Sequence, residues 1–341
     1  MSPKDSKPTQ DINKQQVQPP MSVQDGLALA MQHLNANRIA EAERIYRQIL
    51  ELEPNQPIAL HRLGVIAHMA GHSDVAIQLI GNSVSTAPEY FGAHSNLGNV
   101  FLDLGRFDEA IECYERAIAV KPDYAQAHAN LGLALQNVQR ADAAIASYRK
   151  SLSINPQDAN THCNLGNTYS SKEEFDAAIA SYEIALSINP DFAEAHCNLG
   201  SALKHKGRIE EAIQHYQNAI LLSPNYPAAH SNLGTAYQKM GDLEEAIVCY
   251  RKALSIQPKF ADALSNLGSA LWVLRRLDEA AQSYRLALEA NPSMLETVGS
   301  LGSVLLAMGK TQEGLELEQK GFGAINFSAR SGIHYNFGNE T

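Results

Sequence analysis

A leucine returns every 34 residues along this chain, as Leu29, Leu63, Leu97, Leu131, Leu165, Leu199, Leu233, Leu267 and Leu301. Thirteen residues behind each of the first eight stands an alanine, from Ala42 to Ala280, and twelve further on a proline, from Pro54 to Pro292. A period of this length gives one supersecondary unit per copy, stacked on its neighbours rather than wrapped around a central core. In residues 193–226, with Ala193 as position 1, apolar residues fall at helical spacing in two runs: Leu199, Ala202, Leu203, then Ala212, Ile213, Tyr216, Ala219, Ile220. Gly207 marks the turn between the runs, and Pro224 closes the second because proline cannot continue the hydrogen-bond ladder. Each unit is expected to be a helical hairpin.

Leu at position 7, Gly at position 8 from Gly64 to Gly302, Ala at position 20 and Pro at position 32 together resemble the tetratricopeptide repeat (TPR). The resemblance implies an all-α fold, a right-handed TPR superhelix or α-solenoid, of about nine repeats at 23–56, 57–90, 91–124, 125–158, 159–192, 193–226, 227–260, 261–294 and 295–322. The small residues at positions 8 and 20 let paired helices approach, while Leu at position 7 and Tyr at position 24 fill the space beside them. Tyr114, Tyr148, Tyr182, Tyr216, Tyr250 and Tyr284 occupy position 24, each expected to bury its ring and carry its hydroxyl towards the surface. Residues 1–22 are polar and are expected to be disordered. Past the last repeat, 323–341 reads as a tail or a cap, because AINFS (324–328) and IHYNF (333–337) alternate as a short hairpin does.

Composition narrows the partners. The 341 residues carry 27 Lys and Arg against 37 Asp and Glu, a net charge of -10, which does not suit nucleic acid or anionic lipid. No apolar run reaches the length of a membrane span and the first residues lack a signal core, so a soluble cytoplasmic protein is expected. Cys113, Cys163, Cys197 and Cys249 occupy positions too far apart to pair and are expected as free thiols.

Three columns are candidates for function. Asparagine stands at position 6 in repeats three to eight as Asn96, Asn130, Asn164, Asn198, Asn232 and Asn266, with Asn99 and Asn167 at position 9. Asn is a mediocre helix former, roughly 0.5 kcal/mol worse than Ala, so the column costs stability unless its amides are used. It resembles the asparagine ladder in the TPR arm of O-GlcNAc transferase and SPINDLY-type proteins, which implies a concave groove holding the backbone of an extended peptide; the alternative is that the amides tie neighbouring helices together. Histidine at position 4 (His94, His128, His162, His196, His230) reads as packing, since imidazoles a repeat apart, about 8–10 Å, cannot share one metal. Position 5 is small and neutral and lacks the lysine of TPR domains that grip a C-terminal carboxylate.

Gly309, Lys310 and Thr311 imitate the end of a phosphate loop, but Val304 stands where its first glycine is required. No enzyme activity, cofactor or metal is therefore expected. The favoured function is a protein-interaction scaffold for an extended peptide, with two alternatives: an accessory arm of a glycosyltransferase of the kind just named, or a self-assembling array that forms homo-oligomers.

Overall fold

The computed structural model describes residues 22–328 and 332–336, so the expectation of disorder for 1–22 falls, apart from Ser22, outside the described residues. Two compact units divide the chain at Asn130 and Leu131. The first holds helix pairs α1 (Val23–Asn35) with α2 (Ile39–Leu52), α3 (Pro57–Met69) with α4 (Ser73–Thr86), and α5 (Phe91–Asp103) with α6 (Phe107–Val120). Helix α7 (Ala125–Asn137) contains the division. The second unit continues with α8 (Ala141–Ile154), then α9 (Ala159–Ser171) with α10 (Phe175–Ile188), α11 (Ala193–His205) with α12 (Ile209–Leu222), and α13 (Pro227–Met240) with α14 (Leu243–Ile256). It closes with α15 (Ala261–Val273) and α16 (Leu277–Ala290), then α17 (Leu295–Ala307) and α18 (Thr311–Phe322). The fold is an α-solenoid of helix pairs. Within each unit a helix packs on its hairpin mate and on the helix that follows, as α11 does on α12 and α12 on α13.

Position 15 explains how the hairpins turn. Gly71, Gly105, Gly207, Gly241 and Gly309 hold positive φ there, and so do Asn37, Gln139, Glu173 and Arg275. A left-handed residue ends one helix and starts the next in every repeat, and where glycine is absent the backbone bears the Cβ clash of that region. Position 8 explains how closely the pair approach. A Cβ added to Gly200 would stand 2.8 Å from Tyr216 Cε1, and one on Gly166 2.6 Å from Tyr182 Cε1. The tyrosine ring lies against the glycine, so each needs the other.

Those tyrosines do not reach the surface as expected. Tyr114, Tyr148, Tyr182, Tyr216, Tyr250 and Tyr284 are between 0% and 3% exposed, because the ring is clamped between the paired helices and its hydroxyl turns towards the first helix. In the last repeat Glu318 replaces the tyrosine and is buried, and Ser303 Oγ donates to its Oε1 at 2.5 Å. Gly314 and Gly321 face Leu306 and Gly299 at distances no Cβ would permit, so α18 lies closer to α17 than a standard repeat allows.

After α18 come two antiparallel strands, β1 (Ala324–Ser328) and β2 (Gly332–Asn336), paired with Ile325 opposite Tyr335 and Phe327 opposite Ile333. No helix among the described residues is long and apolar enough to cross a membrane.

Candidate functional site

The asparagines at position 6 lie on the first helices, every one half-buried and each followed by a buried leucine at position 7. In the first unit their amides join a relay. Gln126 Nε2 donates to Asn130 Oδ1 at 2.8 Å, Asn130 Nδ2 to Asn99 Oδ1 at 2.8 Å, Asn99 Nδ2 to Asn96 Oδ1 at 3.3 Å, and Asn96 Nδ2 to His61 Nε2 at 2.7 Å. An amide nitrogen can only donate, so His61 accepts at Nε2 and its Nδ1–H donates to the Tyr90 hydroxyl at 2.8 Å. Burial, reinforced by the nearby Arg62 charge, pushes the His61 imidazole down to about 4. It is neutral near pH 7.

The second unit repeats the core of this pattern. Asn198 Nδ2 donates to Asn167 Oδ1 at 2.9 Å, and the same oxygen accepts from the Tyr182 hydroxyl at 2.7 Å. Tyr114 donates likewise to Asn99 Oδ1 at 2.8 Å in the first unit. Position 9 is thus the acceptor for its own repeat's tyrosine and for the asparagine 31 residues on. Where position 9 changes, the bonds adapt. Asn232 Nδ2 reaches Ser201 Oγ at 3.5 Å and Cys197 Sγ at 3.6 Å, while Tyr148 and Tyr250 turn to Gln136 and Gln238 at 3.0 and 2.8 Å. Tyr46, with Met31 at position 9, keeps a buried hydroxyl without a hydrogen-bond partner among the described residues. Each strap uses one amide N–H of the asparagine and leaves its second N–H free of that role.

Two hollows open against the column. In the first unit ≈ 380 Å3 is lined by Asn96, Asn99, Asn130, His68 and Asp103, with His68 Nε2 2.8 Å from the Asp103 carboxylate. In the second, ≈ 630 Å3 is lined by Asn266, Ser269, Tyr284 and Ser300, with Asp262 and Glu296 at its edge. A third, of ≈ 710 Å3, lies away from the asparagines between Leu50, Leu63, Ile66, Val75 and Leu79, where Ala67 occupies a position that the later repeats fill with Phe, Tyr or Leu. That substitution is visible when the repeats are aligned on one another and is the signal by which this hollow could have been found.

The histidines at position 4 have a specific task that packing alone does not describe. His94 Nε2 donates to the Pro88 carbonyl at 2.8 Å, His128 to Pro122 at 2.9 Å, His162 to Pro156 at 3.1 Å, His196 to Pro190 at 3.1 Å and His230 to Pro224 at 3.0 Å. Each satisfies a carbonyl left over where the preceding helix ends. The four cysteines are free, and burial pushes Cys113 and Cys163 up to about 12 and Cys249 up to about 11, so they are protonated thiols rather than nucleophiles. The carboxylates that open the second helices pair locally: Glu211 accepts both Nε and Nη2 of Arg208 at 2.6 Å.

Residues 6–230 match the family profile described as the cilia and flagella-associated protein 70 C-terminal domain, and residues 227–260 and 261–294 each match the tetratricopeptide repeat. No curated protein sequence matches the chain. Similar solved structures include the APC/C hetero-tetramer Cut9-Hcn1, with a TM-score of 0.62 and 18% identity over 78% of this chain and 52% of that chain. This chain therefore spans about half the length of that one. Others are Pseudomonas aeruginosa pilF, at 0.56 and 20% over 64% and 97%, and YrrB, a TPR protein with an unusual peptide-binding site, at 0.46 and 24% over 59% and 99%. None of these descriptions names a glycosyltransferase.

Proposed function

Because this chain belongs to the tetratricopeptide-repeat family, whose members are generally protein-interaction scaffolds, we propose that the first helices of the second unit form a groove for an extended segment of a partner protein. The observation that carries this reading is the strapped, half-exposed amide. Asn198 is held by Asn167, and Asn167 by Tyr182, so the side chain is already oriented before a ligand arrives. Binding then costs little rotamer entropy. Each amide keeps a donor and acceptor capacity with which to meet the N–H and C=O of a passing chain. Asparagines that return once per helical repeat, about 8–10 Å, would meet about every third residue of an extended peptide rising about 3.3 Å per residue. Recognition of backbone tolerates sequence, and favours segments that can extend without breaking structure of their own.

Strap and groove are compatible roles, and energetics separates them. Removing a strap costs about 0.5–1.5 kcal/mol, while Asn→Ala in a helix returns roughly half a kcal/mol. In the triple variant Asn164→Ala, Asn198→Ala, Asn232→Ala only the bonds of Asn198 and Asn232 are lost, since Leu133 stands at the position that would receive Asn164, so it should lose at most a few degrees of melting temperature. Fifteen-residue peptides selected on the wild-type chain from a random display library should bind this variant at least about tenfold more weakly, the equivalent of about 1.4 kcal/mol. Equal affinity for both proteins would make the column a strut and end the groove reading.

A further inference from the structure

We propose that the sixth repeat carries a pH-sensitive latch: the imidazoles of His196 on α11 and His215 on α12 hold that hairpin closed through one shared hydrogen bond, and acidification that charges both rings parts the two helices there. The latch is independent of the groove reading, although α11 also carries Asn198.

The pair is the one contact of two imidazoles among the described residues. His196 Nδ1 lies 3.0 Å from His215 Nδ1 with the ring centroids 5.2 Å apart, so the two nitrogens point at one another. His215 stands at position 23, which in the other repeats from three to eight is Cys113, Ser147, Ser181, Cys249 or Ser283. The remaining histidines of position 4 therefore have no second imidazole at the corresponding place.

The Pro190 carbonyl decides how the pair can titrate. It accepts from His196 Nε2 at 3.1 Å, which fixes the neutral His196 ring as the Nε2–H tautomer and leaves a lone pair at Nδ1. His215 then donates from its own Nδ1. A first proton is accommodated, because it adds at His215 Nε2 and the same hydrogen bond becomes charge-assisted. A second proton has only His196 Nδ1 to occupy, where it sets N–H against N–H and charge against charge. His196 has no tautomer that relieves this while the proline carbonyl holds its other nitrogen.

The surroundings add to the effect. Burial, and after it the His196 ring, hold His215 below the usual histidine range, with Arg208 acting the same way and Glu211 against it. Glu211 is itself bound by Nε and Nη2 of Arg208, and Glu210 is exposed. The other charged or titratable groups on the packed helices are engaged elsewhere. Asp176 pairs with Lys206, Glu183 acts on Arg208, Glu194 on Cys197, and Lys204 and Lys239 on His205, while His162 and His230 donate to proline carbonyls. A histidine held below 6.5 takes its proton more readily in the unfolded chain, so the latch contributes fully above that pH and weakens as pH falls below it. Because each repeat leans only on its neighbours, opening at repeat six interrupts the run of first helices in the second unit at α11.

Amide exchange of the full chain at pH 7 and pH 5, each compared with His215→Ser at the same pH, tests the latch. The variant is expected to fold, because serine holds this position in three other repeats as Ser147, Ser181 and Ser283. From pH 7 to pH 5, protection of α11 and α12 should fall about tenfold more in wild type than in the variant, with α15 to α18 changing alike in both. An equal fall of α11 and α12 in the two proteins overturns the proposal. Ring titration by NMR of histidine-labelled wild type and His196→Asn decides the matter without the serine variant. His215 should titrate at a higher pH once His196 is gone, and a midpoint that is the same in both proteins overturns the proposal as well.

Discussion

At the residue scale the most consequential side chain is His61, because it ends the amide relay of the first unit and is buried without charge. Its imidazole titrates at about 4 in the folded chain against an ordinary value of 6.5. Between these values the unfolded chain holds a proton that the native chain does not, so stability rises with pH across that window. The contribution is complete above pH 6.5 and disappears as pH falls to 4; a shift of this size is worth roughly 3 kcal/mol. Chemical denaturation at pH 7 and pH 4.5 should show wild type losing about that much more stability on acidification than His61→Gln does. Equal losses would mean His61 is not held neutral by its site. The presence of His61 is plain in the sequence, but its role is not, since Asn96 and Tyr90 reach it from 35 and 29 residues away. The histidine column teaches the same point: a six-residue spacing from proline to histidine is visible in five repeats, yet only the path of the backbone shows that the ring meets the carbonyl.

At the scale of the element, the repeat pattern specified what depends on one residue's own backbone or volume. Proline at position 32 and the turn at position 15 set the helix ends, and glycine at position 8 with tyrosine at position 24 sets the contact between the paired helices. What it left open depends on pairs of columns. The strap joins position 6 to position 9 of the preceding repeat, and neither column alone signals the bond. The turns at Gln139, Glu173 and Arg275 were equally hidden, because their left-handed backbone is imposed by the packing of flanking helices rather than by a residue that prefers it. The Gly200 contact can be tested directly. A Cβ there already comes within 2.8 Å of Tyr216 Cε1 and 3.1 Å of the Ala212 carbonyl oxygen. Gly200→Leu should cost about 1–3 kcal/mol or more, with faster amide exchange concentrated in α11 and α12 and the helices beside them. Unchanged thermal stability would show that the pair has slack that these contact distances do not suggest.

At the scale of the whole molecule, the two kinds of helix within each unit have different tasks. The N-terminal ends of the second helices carry local Arg–Glu pairs, such as Arg208 with Glu211 and Arg276 with Glu279, and first helices carry the asparagines and the straps. A partner segment is expected to lie along the first helices of the second unit. Hydrogen–deuterium exchange of the full chain, with and without a saturating fifteen-residue peptide selected on it, measures that place directly. Slowed exchange is expected in α9, α11, α13 and α15, with α10, α12, α14 and α16 unchanged. Protection on the second helices, or around the apolar hollow between Leu50 and Leu79, with none on the first helices of the second unit, would contradict it.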